Sequence, residues 1–215
     1  MRGLIMAAQQ QQRDDVWLYK GLPFEYEEVT NPTTGRTWMD RNLGASRVAT
    51  AFNDADSYGD LFQWGRLDDL HQNRDSATTA VLSSTDDPGH GDFITTSESP
   101  YDWRSPQNDE LWQPGLINVP APPGFRVPTE AEWEAERATW ATNDRDGAYG
   151  SPLKLSAGGL RYYDGSLYDV GNYGIYWSSS VSGSNARGLY FYSSNANMYN
   201  LGRVSGRSVR LIKEL

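Results

Sequence analysis

The chain has 215 residues, no cysteine and a formal net charge of −9, a length that fits one large domain or one domain with a short tail. The missing cysteines exclude disulfides, thiolate metal sites and cysteine nucleophiles, and the acidic balance argues against a general nucleic-acid or anionic-membrane binder. Hydrophobic residues make up only 38%, but eight Trp and thirteen Tyr can build a core from few, large side chains.

Residues 1–28 read as a leader or docking segment, with Val16-Trp17-Leu18-Tyr19 as its one candidate strand. The apolar run from Gly3 to Ala8 falls short of the roughly 7–15 residues of a secretory core. Nothing approaches the ~18 apolar residues of a membrane span, so no membrane insertion is expected. A domain is expected over 29–215. It starts at the turn-rich Asn31-Pro32-Thr33-Thr34-Gly35, followed by a short strand over Arg36-Thr37-Trp38-Met39. Tyr58 to Trp64 reads as a short helix stopped by Gly65. From Arg66 to Pro123 the chain is polar and punctuated by Pro and Gly, a long loop with Trp103 and Trp112 as isolated anchors.

The strongest helix signal is Thr129 to Trp140. Thr129 can cap the first turn and Glu132 stands three residues on, the capping-box spacing. Trp133 and Trp140 lie seven apart and share a buried face. After Lys154 the pattern changes to strands and turns: an Asp-Gly hairpin signal at Tyr163-Asp164-Gly165-Ser166, and strands at Tyr176–Ser179 and Ser208–Ile212. In Arg187–Tyr192, Leu189 and Phe191 fall on one face and Gly188, Tyr190 and Tyr192 on the other, the alternation of a half-buried strand.

Between Lys154 and Lys213 there is no Lys, Glu or Gln, yet there are eight tyrosines. Tyr, Ser, Gly and Asn fill the stretch, the residues of an adaptable binding surface in which Tyr gives rigid contact area and the others local hydrogen bonding. Five Arg against two Asp leave it at +3 on an acidic body, and Arg among tyrosines is common at protein interfaces. The loop clusters Asp68, Asp69, His71, Asp75 and Asp86, Asp87, His90, Asp92 match no calcium-loop spacing, so they read as solvated loop residues and no cofactor is implied. With two scattered His, no nucleophile–base pair is suggested either.

Several motifs together resemble a known family. Gly124-Phe125-Arg126-Val127-Pro128-Thr129-Glu130-Ala131-Glu132-Trp133-Glu134 is similar to the helix signature of C-type-lectin-like domains related to formylglycine-generating enzyme. Trp38-Met39-Asp40-Arg41-Asn42-Leu43, Tyr58 to Gly65, Tyr176-Trp177-Ser178-Ser179-Ser180 and Gly206-Arg207-Ser208-Val209-Arg210 extend the match over roughly residues 30–215. The resemblance implies an α+β fold of the C-type-lectin-like type, with two helices and small, mostly antiparallel sheets. The enzymes of that family work through cysteines, which this chain lacks, so a non-catalytic role is expected.

Within the family the chain looks most like the variable proteins of diversity-generating retroelements. There, a template RNA is copied with errors at adenines, and Asn codons become codons that never encode Lys, Glu, Gln, Trp or Met. The resemblance implies a variable region at about 159–206. The substituted, ligand-binding positions would be Tyr162, Tyr168, Asp169, Tyr173, Ile175, Gly188, Tyr190, Tyr192, Tyr199, Asn200, Leu201 and Gly202. Val204 and Ser205 would come from other adenine-bearing codons. Trp177 and Met198 would be template-fixed core residues, and Arg187, Leu189, Phe191 and Arg210 scaffold. The partner would be macromolecular, a protein or surface receptor rather than nucleic acid, met from a phage virion or a cell surface. The alternatives are a fixed-specificity lectin-like adhesin, with no variation at these positions, and an enzyme of the formylglycine-generating type, which the absent cysteines disfavour.

Overall fold

The computed structural model describes residues 17–215; the first part of the expected leader, with Val16, lies outside the described residues. Trp17 starts a strap in which β1 (Leu18–Tyr19) and β2 (Leu22–Pro23) pair as a tight hairpin. Tyr19 is buried, and its hydroxyl donates to Asp60 Oδ2 at 2.6 Å. β3 (Glu28–Thr30) and β4 (Thr37–Met39) flank a turn closed by Gly35, whose φ of +67° favours glycine. Two threonine-and-aromatic pieces, β5 (Thr78–Thr79) and β6 (Phe93–Ile94), form a small parallel pair within the long loop. β7 (Phe125–Arg126) comes after that loop.

Helix α1 spans Glu130–Arg137. Thr129 Oγ1 accepts from the Glu132 amide, and the Glu132 carboxylate accepts from the Thr129 amide, a reciprocal cap that satisfies two otherwise unpaired donors. Glu132 is also held by Arg126 at 2.7 Å and Arg36 at 2.8 Å. The helix ends three residues before Trp140, which nevertheless stays buried against Phe191, ring centroids 5.8 Å apart. A second helix, α2 (Arg145–Gly150), is capped by Asp144. It has no counterpart among the helices expected from the sequence.

The C-terminal part supplies the hairpin β8 (Leu160–Arg161) with β9 (Leu167–Tyr168), the long meander β10 (Gly174–Ser182), β11 (Asn185–Tyr192) and β12 (Asn195–Leu201), and finally β13 (Ile212–Lys213). The meander is an antiparallel sheet of order β10-β11-β12, and β13 enters a second sheet of order β3-β4-β13-β7. Among the described residues the fold is therefore mixed α+β, with two α-helices and several small, mostly antiparallel sheets.

Two aromatic cores hold these elements. One gathers Trp64, Trp103, Trp112 and Trp177 with Phe62 and Leu211; the other gathers Trp38, Trp133, Tyr176, Leu189 and Phe191 with Ile212. The long loop is tied down as expected by its tryptophans. Trp103 Nε1 donates to Trp64 O at 2.7 Å and Trp112 Nε1 to Arg66 O at 3.2 Å, so both buried indoles are satisfied.

The structure corrects two of the expected elements. Tyr58–Trp64 is not a helix: a single 3-10 turn covers Ala55–Ser57, and beyond it the chain runs extended through the interior. Its amides are spent on other parts of the chain, Asp60 on Leu43 O, Leu61 on Gln72 O, Phe62 on Arg207 O and Trp64 on Arg203 O. Gly59 has φ +67°, and a Cβ there would collide with the Leu43 carbonyl, which a helix would not require. Of Ser208–Ile212 only Ile212 belongs to a regular strand; Ser208 makes one parallel bridge to Tyr176.

Candidate functional site

In the meander, residues directly opposite each other share a face. Tyr176, Leu189 and Met198 stand in one row and Gly174, Phe191 and Ala196 in another. These side chains turn inward onto Trp133 and Trp140. A Cβ at Gly174 would fall inside the Phe191 ring, so the glycine lets that ring lie across the strand. Ile175, Tyr190 and Asn197 form the opposite row, with Trp177, Gly188 and Tyr199 beyond them. Leu189 and Phe191 thus face the core and Tyr190 and Tyr192 the outer side, as the alternation predicts.

Only part of the outer side is covered. Trp177 is fully buried there, its Nε1 donating to Phe62 O at 2.7 Å. Past Tyr190 the sheet is open. A turn in which Asp169 takes φ +57° and Tyr173 donates its amide to Asp169 O brings Tyr173 over the strand. Its ring lies 5.3 Å from both Tyr190 and Tyr192, and Tyr190 is 5.5 Å from Tyr199. These four rings, with Asn200 and Leu201, line an open cleft of about 450 Å³. Burial, then the neighbouring Tyr173 and Asp169, pushes the Tyr190 phenol up to about 12. It is a hydrogen-bond donor at every physiological pH.

A second aromatic group stands beside the first. In the β8–β9 hairpin Tyr162 lies 4.2 Å from Tyr163 and 5.4 Å from Tyr168 by ring centroid, and Tyr101 of the long loop reaches Tyr163 at 6.2 Å. Between this hairpin and the 200–205 turn runs a cleft of about 390 Å³ with Arg207 on its wall. Asn200 and Leu201 border both clefts, which makes them one continuous surface.

Of the sequence-predicted positions, Tyr162, Tyr168, Asp169, Tyr199 and Asn200 are exposed, and Tyr173, Tyr190, Tyr192, Leu201 and Gly202 half-buried. All of these except Tyr168 and Asp169 border one of the two clefts. The remaining four positions are buried. Ile175 is 2% exposed and lies opposite Tyr190 in the sheet, giving the surface no contact area of its own. Gly188 is also enclosed: a Cβ would meet Leu201 Cδ1 at 2.5 Å and the Tyr176 carbonyl at 2.9 Å. Val204 and Ser205 are buried at the cleft floor, Val204 within the first core. Trp177 and Met198, expected as fixed core residues, are both buried.

Sequence reasoning misses Tyr101, Tyr163, Asn185 and Arg207 as cleft residues. Tyr163 is within its reach, as the hairpin neighbour of Tyr162; Tyr101 comes from a loop whose path no pattern announces. Arg187, expected as scaffold, pairs with Glu130 at 2.6 Å and donates to Asn200 Oδ1 at 2.7 Å, so it ties the rim of the clefts to α1.

Two of the acidic loop residues are held in ion pairs with arginines. Asp69 pairs with Arg66 at 2.6 Å and Asp86 with Arg104 at 2.8 Å. Among the described residues no three His, Asp or Glu side chains converge as metal ligands. His71 is fully buried; it accepts from the Gln63 amide at Nε2 and shares its other ring nitrogen with Asp69. Burial pushes it down to about 4. Compared with models of protein families, with curated proteins and with solved structures, the chain finds no match.

Proposed function

We propose that this protein is a non-catalytic binding protein with a C-type-lectin-like fold, whose C-terminal face is diversified by a retroelement through adenine-directed copying. The partner is macromolecular, a protein or a surface receptor, met from a virion or a cell surface. One observation carries the reading: Tyr173, Tyr190, Tyr192 and Tyr199 stand together on the open side of a sheet whose other side is locked into the core by Leu189, Phe191 and Met198. Large, rigid, half-exposed rings on a fixed backbone lose little entropy on binding. Affinity then comes from a few aromatic anchors, and display in several copies adds avidity. The absence of Lys, Glu and Gln between Lys154 and Lys213 supports the copying mechanism, because adenine errors in Asn codons cannot produce them.

The test is deep sequencing of the 3′ end of this gene across its source population, with a search of adjacent DNA for a near-copy. Substitutions confined to adenine-bearing template codons, at Tyr190, Tyr192, Tyr199 and their cleft neighbours, are the expected result. A uniform segment without a near-copy would leave a fixed-specificity adhesin instead.

A further inference from the structure

Five arginine side chains are buried among the described residues: Arg66, Arg161, Arg203, Arg207 and Arg210. Four of them feel a carboxylate. Asp69 pairs with Arg66 and Asp102 and Asp109 with Arg203; Asp75 acts on Arg161, and Asp40 and Glu136 on Arg210. Arg207 is different: among the described residues no carboxylate pairs with it or acts on it, and its neighbours are backbone carbonyls and aromatic rings. Its Nη1 donates to Gly202 O at 3.0 Å and to Ser205 O at 3.4 Å, while its Nε is buried with no partner. The guanidinium lies 4.4 Å from the Trp177 ring centroid. Burial pushes it down to about 9, so it is still a cation at neutral pH. A buried cation without an anion is costly, and a charge-assisted bond to one is correspondingly strong.

Arg207 is 5% exposed, and what it shows borders the cleft between the Tyr162–Tyr163 hairpin and the 200–205 turn. We propose that this cleft is a carboxylate pocket, in which Arg207 receives an Asp or Glu side chain of the partner protein. The inference rests on the binding-face reading above for its partner. Among the described residues Arg207 is the single charged residue bordering the cleft, which matches one negative charge and so a carboxylate over a phosphomonoester dianion. The cleft continues through Asn200 and Leu201 into the four-tyrosine surface, so the group that enters it is one side chain of a wider contact, as a protein partner provides.

The experiment needs no natural ligand. The Arg207 Nε–H signal of the full chain is tracked by ¹⁵N NMR during titration with N-acetyl-glutamate N-methylamide, N-acetyl-glutamine N-methylamide and glucuronate at matched ionic strength. A saturable shift with the glutamate derivative and none with the neutral amide is expected. Ser205→Asp, which places a carboxylate at the cleft floor, should shift that signal without any additive, raise the melting temperature and abolish the response. No shift with the acid, an equal shift with the amide, or a response that survives Ser205→Asp would overturn the pocket. A shift with glucuronate alone would overturn the protein side chain as its occupant. The two readings fail separately: a partner bound through the tyrosines with no acid at Arg207 sinks only this inference, and a response to the acid stands even if the tyrosines prove dispensable.

Discussion

Tyr190 and Leu189 are neighbours in sequence with opposite duties. Leu189 and Phe191 are fully buried, Phe191 between Trp140 and Tyr176, and truncating either to Ala should cost about 2–5 kcal/mol in chemical denaturation. The Tyr190→Ala, Tyr192→Ala double variant removes half-solvated ring contacts instead, and should cost only about 1 kcal/mol while abolishing partner binding. The reverse pattern would mean that the two faces are misassigned. His71 gives a prediction in pH. It is native at about 4 against an ordinary 6.5, chiefly through burial. Between those values the unfolded chain holds the extra proton, so stability falls as pH drops from 6.5 toward 4. Thermal melts across this window should show the decline, and a shallower one in His71→Gln, whose amide oxygen can replace Nε2 as acceptor for the Gln63 amide. A flat wild-type profile would show that His71 is already charged in the native state.

Among elements, α1 is legible in the sequence because its signals are local: Thr129 and Glu132 satisfy each other within one turn. Thr129→Ala should therefore lower stability by about 1 kcal/mol, measured by urea unfolding. Glu132→Ala should cost more, since it also releases Arg36 and Arg126. The Tyr58–Trp64 segment misleads for the opposite reason. Its apolar residues fall at helical spacing, but Asp60 and Gln63 between them are buried too, so the whole circumference is enclosed and the period carries no information about a solvent side. What decides its conformation is distant: the carbonyls of Leu43, Gln72, Arg203 and Arg207. The strand over Arg187–Tyr192 is legible from period 2 alone, and with it the outer side that carries Tyr190 and Tyr192. The second cleft is legible only in part: Tyr162 and the 200–205 turn are, whereas Tyr101 and Arg207 reach it from loops 106 residues apart in the chain.

Over the whole molecule, β3 and β4 from the early part of the described chain meet β13 from its end in one sheet. Ile212 pairs with Trp38 on one side and Arg126 on the other, and Lys213 is ion-paired with Glu28 at 2.6 Å. A chain ending at Leu211 should lose cooperative unfolding and the near-ultraviolet dichroism of its buried tryptophans, whereas removal of Leu215, which is fully exposed, should leave both within error. A truncated chain that still melted cooperatively would show that β13 is dispensable. On the outer face, the alternation of β11 itself governs how the surface can change. Because inward and outward residues interleave singly along β11, any mutational process acting there must leave every second codon alone. Loss or gain of one codon would exchange the two sides, sending tyrosines into the core and Leu189 and Phe191 into water. Residue identity is free to drift at the open outer positions, Tyr190, Tyr192 and Tyr199, and not at the enclosed Trp177 and Gly188; the length of the strand is fixed throughout. Along β11, therefore, substitution leaves the pairing intact, whereas insertion does not.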